Sequence, residues 1–247
     1  MPNQMQGDFF DEVYEQETRK QVSEVYAITT SIRDAYKRHF PKAEGLTVLE
    51  YGCGTGSYGF YLAEQGAKVV GIDISETGIK IATEQAEKAG LVKNLSFQLM
   101  DAENLDFDDE SFDLVTGTGI LHHLDQRRAM SEIKRVLRPG GKAIFIEPMG
   151  LNPALRLFRK LTPQLRVEDE YPLKRHDLVA IGSGFEHAEY HFYYLTALAA
   201  IPFRRMPFFP GLVQFLDGID RLLFKLIPPI RYWAWQVLIV LEHPHKS

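Results

Sequence analysis

Cysteine is nearly missing from this chain of 247 residues: Cys53 is the only one. A lone cysteine closes no internal disulfide, and its place inside a glycine-rich turn marks it as a small packing residue rather than a metal ligand. No apolar run approaches the roughly 20 residues needed to span a bilayer. The N-terminus is acidic and polar and lacks a basic stretch leading into an apolar one. No secretory signal is therefore read there, and the expected location is cytoplasmic. Positive charge is not in excess either. With 28 basic and 33 acidic residues the formal net charge is -5, which argues against general affinity for a nucleic acid backbone. The sequence has no internal repeat and no low-complexity tract. What is present is an apolar fraction of 45%, ordinary for a globular protein. The length suits one large α/β domain with an insertion or a small cap.

Glycine is concentrated where it is costly. In Thr47-Val-Leu-Glu-Tyr-Gly-Cys-Gly-Thr-Gly56, an apolar strand end runs into Gly52, Gly54 and Gly56. Three glycines at alternate positions lose much backbone entropy on folding, so the chain needs a conformation or an approach that only glycine allows. Ser57 then stands as an N-cap for a helix through Tyr61, Leu62 and Ala63. Strand, glycine turn and helix open a nucleotide-type site at the carboxyl edge of a parallel sheet.

Two ligands compete for such a turn. A dinucleotide site wants its third glycine one residue later, where Ser57 stands, so that pyrophosphate sits on the helix N-terminus. Here Glu50 precedes the first glycine, and an anion there is a poor neighbour for a phosphate. It suits a ligand with an ammonium group. The next strand, Ala67 to Asp73, ends in a carboxylate placed to accept from both ribose hydroxyls. A ribose, an amino group and no phosphate describe S-adenosylmethionine.

With these residues in place the sequence resembles the class I S-adenosylmethionine-dependent methyltransferases, from about Leu46 to Glu147. The pieces are Leu49-Glu-Tyr-Gly-Cys-Gly-Thr-Gly56, Val70-Gly-Ile-Asp-Ile-Ser75, Asp101-Ala102, Phe112-Asp-Leu-Val115, Leu121-His-His-Leu124 and Leu137-Arg-Pro-Gly-Gly141. The resemblance implies a doubly wound α/β fold with a mainly parallel seven-stranded sheet, an N-terminal helical lid and a late helical insertion. It also implies cofactor roles: Glu50 near the amino group through the turn, Gly52, Gly54 and Gly56 against the ligand, Asp73 on the ribose, and Ile74 among the cofactor-binding residues. Asp101 and Ala102 are expected at adenine, and Gly117 at the methionine portion.

Other candidates are read along the chain. Residues 8–40 are expected to be helical, from aromatic and aliphatic residues at helical spacing up to Pro41. Tyr14 and Tyr26 could turn a ring to the sulfonium, and Arg33 could pair with the methionine carboxylate; simple packing is the competing reading for each. His122 and His123 are adjacent and so point different ways. One is expected to face the pocket, where a histidine could take a proton from an acceptor; no third ligand beside them makes a metal site. Glu147 lies at the carboxyl end of the fifth strand, expected at Lys142 to Ile146, on the active edge of the sheet, where it could orient an acceptor or serve as a base.

From Met149 the pattern changes. Asn152 to Leu161 is short, basic and amphipathic, and Phe185 to Tyr194 reads as an aromatic sixth strand. The seventh, Gln236 to Glu242, begins only after an insertion, 195–235, that interleaves aromatic and basic residues. Its bland reading is a helical subdomain packed on the sheet; its sharper one is an acceptor pocket or a surface for peripheral membrane contact. The expected organisation is a lid over 1–45, a cofactor-binding core over 46–194 and 236–247, and a cap over 195–235. The expected reaction is methyl transfer to a small or lipid-like acceptor, with S-adenosylhomocysteine as product. The alternatives are a catalytically silent binding module on the same fold and a nicotinamide oxidoreductase.

Overall fold

A computed structural model of the chain describes residues 7–12, 25–56, 58–161 and 171–246. The segment Thr47–Tyr51 (β1) is buried along almost its whole length. It lies at the centre of the sheet, between Lys68–Asp73 (β2) and Phe112–Thr118 (β4), parallel to both. Leu95–Leu99 (β3) adds beyond β2, and Leu137–Pro148 (β5) beyond β4, again in parallel. Phe185–Tyr193 (β6) forms the far edge, and Gln236–Pro244 (β7) runs antiparallel between β5 and β6. The seven strands follow the order β3-β2-β1-β4-β5-β7-β6.

Central strands flanked by helices on both faces must be apolar on both sides, and this sheet is. Because successive side chains alternate across a strand, Val48, Leu114, Ile144 and Leu238 enter one core layer while Leu49, Val115, Phe145 and Ile239 enter the other. The second layer is closed by Gln126–Val136 (α4), through Ala129 and Ile133, and by Arg175–Gly182 (α6), through Leu178 and Ile181. The first is closed by Thr30–His39 (α1), Tyr58–Glu64 (α2) and Glu76–Ala89 (α3). Helix ends follow local chemistry. Ser75 Oγ accepts from Gly78 N at 2.9 Å and Gly90 closes α3 at φ 69°, a serine N-cap and a left-handed glycine stop. Asp125 caps α4 through the amides of Arg127 and Arg128.

The helical reading of 8–40 holds as separate pieces: a turn over 7–12, a 3-10 turn at Val25–Ile28, and α1. Residues 13–24, and with them Tyr14, lie outside the described residues, as does Ser57. The fifth strand starts earlier than Lys142. Leu137 already pairs with Phe112, and the ladder resumes at Lys142 with Leu114, so Arg138-Pro-Gly-Gly141 forms an irregular bulge.

After β6 the chain makes a 3-10 turn at Ala197–Phe203, the helix Phe209–Leu226 (α7) and a second 3-10 turn at Pro228–Trp233. Asp220 anchors this stretch: its carboxylate accepts from Leu195 N, Thr196 N and Thr196 Oγ1 at 2.6–2.9 Å. Ala197, Ala200 and Val213 join the core layer of α1. Tyr193 at the end of β6 and Pro148 at the end of β5 both pair with Gln236. The whole stretch 195–235 therefore leaves from, and returns to, the carboxyl edge of the central strands.

Candidate active site

At that same edge a cavity of about 200 Å³ opens over β1, β2 and β4. Its floor is the turn after β1. Gly52, Gly54 and Gly56 have φ values of 68°, 53° and 96°, all in the region that favours glycine. Space is as restricted as conformation: a Cβ at Gly52 would lie 2.7 Å from the Ile120 side chain, and one at Gly56 2.4 Å from the Phe60 ring. The turn is held by Cys53 N donating to Ile72 O and Gly56 N to Cys53 O, both at 2.8 Å.

Asp73 closes the second strand beside this floor. Gly54 N donates to its Oδ2 at 2.7 Å and Ser75 N to its Oδ1 at 3.0 Å. A carboxylate offers about four lone-pair sites, so two amides fix its plane and still let it serve as a multiple acceptor at the cavity wall. Asp73, Ile74, Asp101 and Ala102 all line the cavity with the three glycines. Asp101 is oriented by Glu103 N, which donates to its Oδ1 at 2.8 Å.

Glu50 and Gly117, expected against the ligand, are not in the lining. Glu50 is 1% exposed and turned beneath α2, where its Oε1 accepts from Tyr58 N at 2.8 Å. An anion at a helix N-terminus is favoured by the macrodipole, so Glu50 braces the turn from below. Gly117 serves packing: a Cβ there would meet Tyr51 O at 2.7 Å. Arg33 is exposed on α1, with its side chain bonded to Tyr58. Tyr26 packs on Trp235 with ring centroids 5.3 Å apart.

The two histidines, expected to point different ways, lie side by side in the 3-10 turn and differ instead in burial. His123 lines the cavity. His122 is buried, and its Nδ1 lies 2.7 Å from Glu147 Oε2. Glu147 is fully buried, and its Oε1 accepts from Ile120 N and Leu121 N at 2.9 and 2.8 Å. The carboxylate thus ties the loop after β4 to the end of β5 and holds one ring nitrogen of His122. The His122 and His123 rings lie 4.0 Å apart, and Phe10 meets His123 edge-on at 5.5 Å.

Phe10 was visible in sequence only as one member of an aromatic stripe, yet it lines the cavity, as do Met100, Thr118, Gly119, Ile120 and Leu124. Met100, Thr118 and Gly119 follow the rule that ligands meet the carboxyl ends of strands. Phe10 is placed by its neighbour Asp11, whose Oδ1 accepts from Thr77 N at 3.0 Å and bonds the Ser75 hydroxyl. The helical turn over 7–12 is thereby clamped to the start of α3. Burial, followed by the charges of Glu50 and Asp73, pushes the Cys53 thiol well above its ordinary value.

Residues 49–145 match the model of a family described as methyltransferase domain. They belong to the class I S-adenosylmethionine-dependent methyltransferase family. Demethylmenaquinone methyltransferase of Lactococcus lactis subsp. lactis (strain IL1403) is 37% identical over 120 residues, 47% of this chain and 46% of that protein. Phthiotriol/phenolphthiotriol dimycocerosates methyltransferase of Mycobacterium tuberculosis (strain ATCC 25177 / H37Ra) is 42% identical over 100 residues, 39% of this chain and 36% of that one. The matched region is thus less than half the length of these curated relatives. Among solved structures, Haemonchus contortus phosphoethanolamine N-methyltransferase 2, in complex with S-adenosyl-L-methionine, superposes with a TM-score of 0.66 at 20% identity, over 96% of this chain and 60% of that chain. This likeness concerns the fold; the methyltransferase domain's turn and acids come from the sequence itself.

Proposed function

We propose that this methyltransferase domain binds S-adenosylmethionine in the cavity over β1, β2 and β4 and transfers its methyl group to a small or apolar acceptor. One observation carries the reading: a floor of three glycines, all at positive φ, shares one cavity with two carboxylates, Asp73 and Asp101, each at the end of a neighbouring strand. The donor set fits an adenosyl ligand. Asp73 would accept from the ribose hydroxyls, and Asp101 from the adenine amine, with Ile74, Ala102 and Met100 as apolar walls. The floor offers bare backbone to the amino-acid portion. S-adenosylmethionine would supply a methyl carbon on a cationic sulfur with a neutral leaving group.

Displacement at such a carbon needs alignment more than covalent help. The chain's part is then to fix the nucleoside, exclude water and bring the acceptor atom in line. Phe10, Ile120 and Leu124 provide the apolar cover. His123 is the candidate base for an acceptor that must lose a proton, since it is at the cavity wall while His122 and Glu147 are behind it. In this reading His122 and Glu147 are positioning residues that hold the His123 backbone and ring. The acceptor class is supported by the relatives' names, which specify demethylmenaquinone and phthiotriol or phenolphthiotriol dimycocerosates.

The test is incubation of the protein with methyl-labelled S-adenosylmethionine and a cell extract separated into aqueous and lipid fractions. Label in a product of the lipid fraction, made with S-adenosylhomocysteine, is the expected result. Tight cofactor binding with no transfer to any fraction would favour the silent module instead. His123→Ala is expected to lower kcat about 100-fold with little change in cofactor affinity, and Glu147→Gln to lower it less.

A further inference from the structure

The helix α7 is built inside out. The side turned to the core carries Val213 together with two carboxylates, Asp217 and Asp220, which are 6% and 2% exposed. The side turned to solvent carries Phe215, Leu222 and Leu226, exposed by 66%, 56% and 66%. At about 100° per residue these three fall within a narrow stripe, opposite the buried positions. Asp220 is consumed by the chain leaving β6, and Asp217 meets the Ser31 hydroxyl. The polar groups therefore serve as internal anchors, and the outward apolar stripe has no counterpart in the described fold. A helix that spends its carboxylates inward and its large apolar side chains outward is matched to surroundings other than water.

The charge around the stripe is of one sign. Arg221 and Lys225 are exposed on α7 itself. The stretch 195–235 holds five basic and two acidic residues in a chain of net charge -5, and both acids are the buried anchors. The basic helix Pro153–Leu161 (α5) adjoins: Asn152 Nδ2, at its start, donates to Trp233 O at 2.8 Å. On α5, Leu157 and Leu161 are exposed beside Arg156 and Lys160, and the helix carries no acid. Trp233 is itself about half exposed. Among the described residues no helix is long and apolar enough to cross a membrane, so this surface can lie on a bilayer but not traverse it.

We propose that the outward faces of α7 and α5 form a docking surface for an anionic lipid bilayer, with apolar side chains entering the acyl boundary and the arginines and lysines meeting headgroups. Both helices depart from the carboxyl edge of the sheet, the edge that holds the cavity. The docked protein thus keeps its site at the lipid face. Docking itself does not depend on the methyl-transfer reading.

Flotation of the full chain with vesicles tests it. Vesicles of phosphatidylcholine with about a third phosphatidylglycerol are expected to carry the protein upward, pure phosphatidylcholine to carry much less, and high salt to release it. The double change Phe215→Asp with Leu222→Asp is expected to weaken partitioning at least about tenfold. Arg221→Glu with Lys225→Glu is expected to abolish the preference for anionic vesicles. Phe215, Leu222 and Lys225 are exposed, so changing them should barely move the thermal midpoint. If a variant does not fold, quenching of tryptophan emission in the unmodified protein by brominated acyl chains gives the same answer, because Trp233 is half exposed and the other tryptophan, Trp235, is buried. Protein left at the bottom with anionic vesicles, or variants that float like the parent, would overturn the proposal. So would a dimer, seen by sedimentation, that Phe215→Asp splits, because a second copy would then be what covers the stripe.

Discussion

Cys53 sits in the floor of the cavity at 3% exposure, with its thiol pushed up by burial and by two neighbouring acids. The thiolate is the reactive form, so iodoacetamide at pH 8 should label it far more slowly than a free thiol, and at the free rate only after unfolding. Rapid labelling of the folded protein would mean that the turn is open. Asp73 is more exposed to test. Asp73→Ala removes an acceptor from the ligand and from the amides of Gly54 and Ser75. A charged hydrogen bond is worth about 1.5–3 kcal/mol, so cofactor affinity should fall about 10- to 150-fold by calorimetry while the far-ultraviolet circular dichroism is retained. Unchanged affinity would remove Asp73 from the ribose. The places of these residues in the cavity were legible because chemistry restricts them: few side chains tolerate a positive φ, and a carboxylate that closes a parallel strand comes to the carboxyl edge of the sheet. Phe10 was not, since an aromatic stripe in an N-terminal helix reads the same whether it covers a core or a ligand. Nor could sequence tell that Glu50 turns beneath a helix and not toward the cavity, because both sites favour an anion after a strand.

Strands and caps were readable from period and punctuation, which are local. Ser75 and Gly90 bound α3 where their types predict, and the nearly continuous burial along β4 and β7 follows from a sheet covered on both faces. The bulge at Arg138–Gly141 was not readable, because Pro and two glycines also describe a free turn; only the pairing of Leu137 with Phe112 makes it strand. Helix α7 has its own prediction. Burial raises the carboxyl of Asp217 above its usual range, the Ser31 bond opposing this. A folded-state value above the unfolded one means that the folded state holds the extra proton, so stability falls as pH rises through that interval. Asp217→Asn removes the ionisation while keeping a side-chain acceptor for Ser31. It should therefore be more denaturant-resistant than the parent near pH 7, with the gap shrinking as pH drops through the carboxylate range. A gap constant with pH would show that Asp217 titrates alike in both states.

Across the molecule, the two core layers are separated by the sheet but share it, so damage to either should unfold both. Ile133 in one layer and Leu114 in the other are fully buried. Each changed to alanine should cost about 2–5 kcal/mol and lower a single cooperative transition; two separated transitions would mean that 195–235 and α1 fold apart from the rest. The carboxyl edge unites the remaining features. The glycine turn, the two acids, His123 and the stretch 195–235 all gather there because parallel strands end together and β7 begins where β5 stops. That convergence makes the cavity the place to look. The most direct measurement is a crystal structure of the protein grown with S-adenosylhomocysteine. The ribose hydroxyls should lie within hydrogen-bonding distance of Asp73, adenine beside Asp101 and Ala102, and the amino-acid chain over Gly52–Gly56. A nucleoside bound elsewhere, or none in that cavity at saturating concentration, would contradict the account.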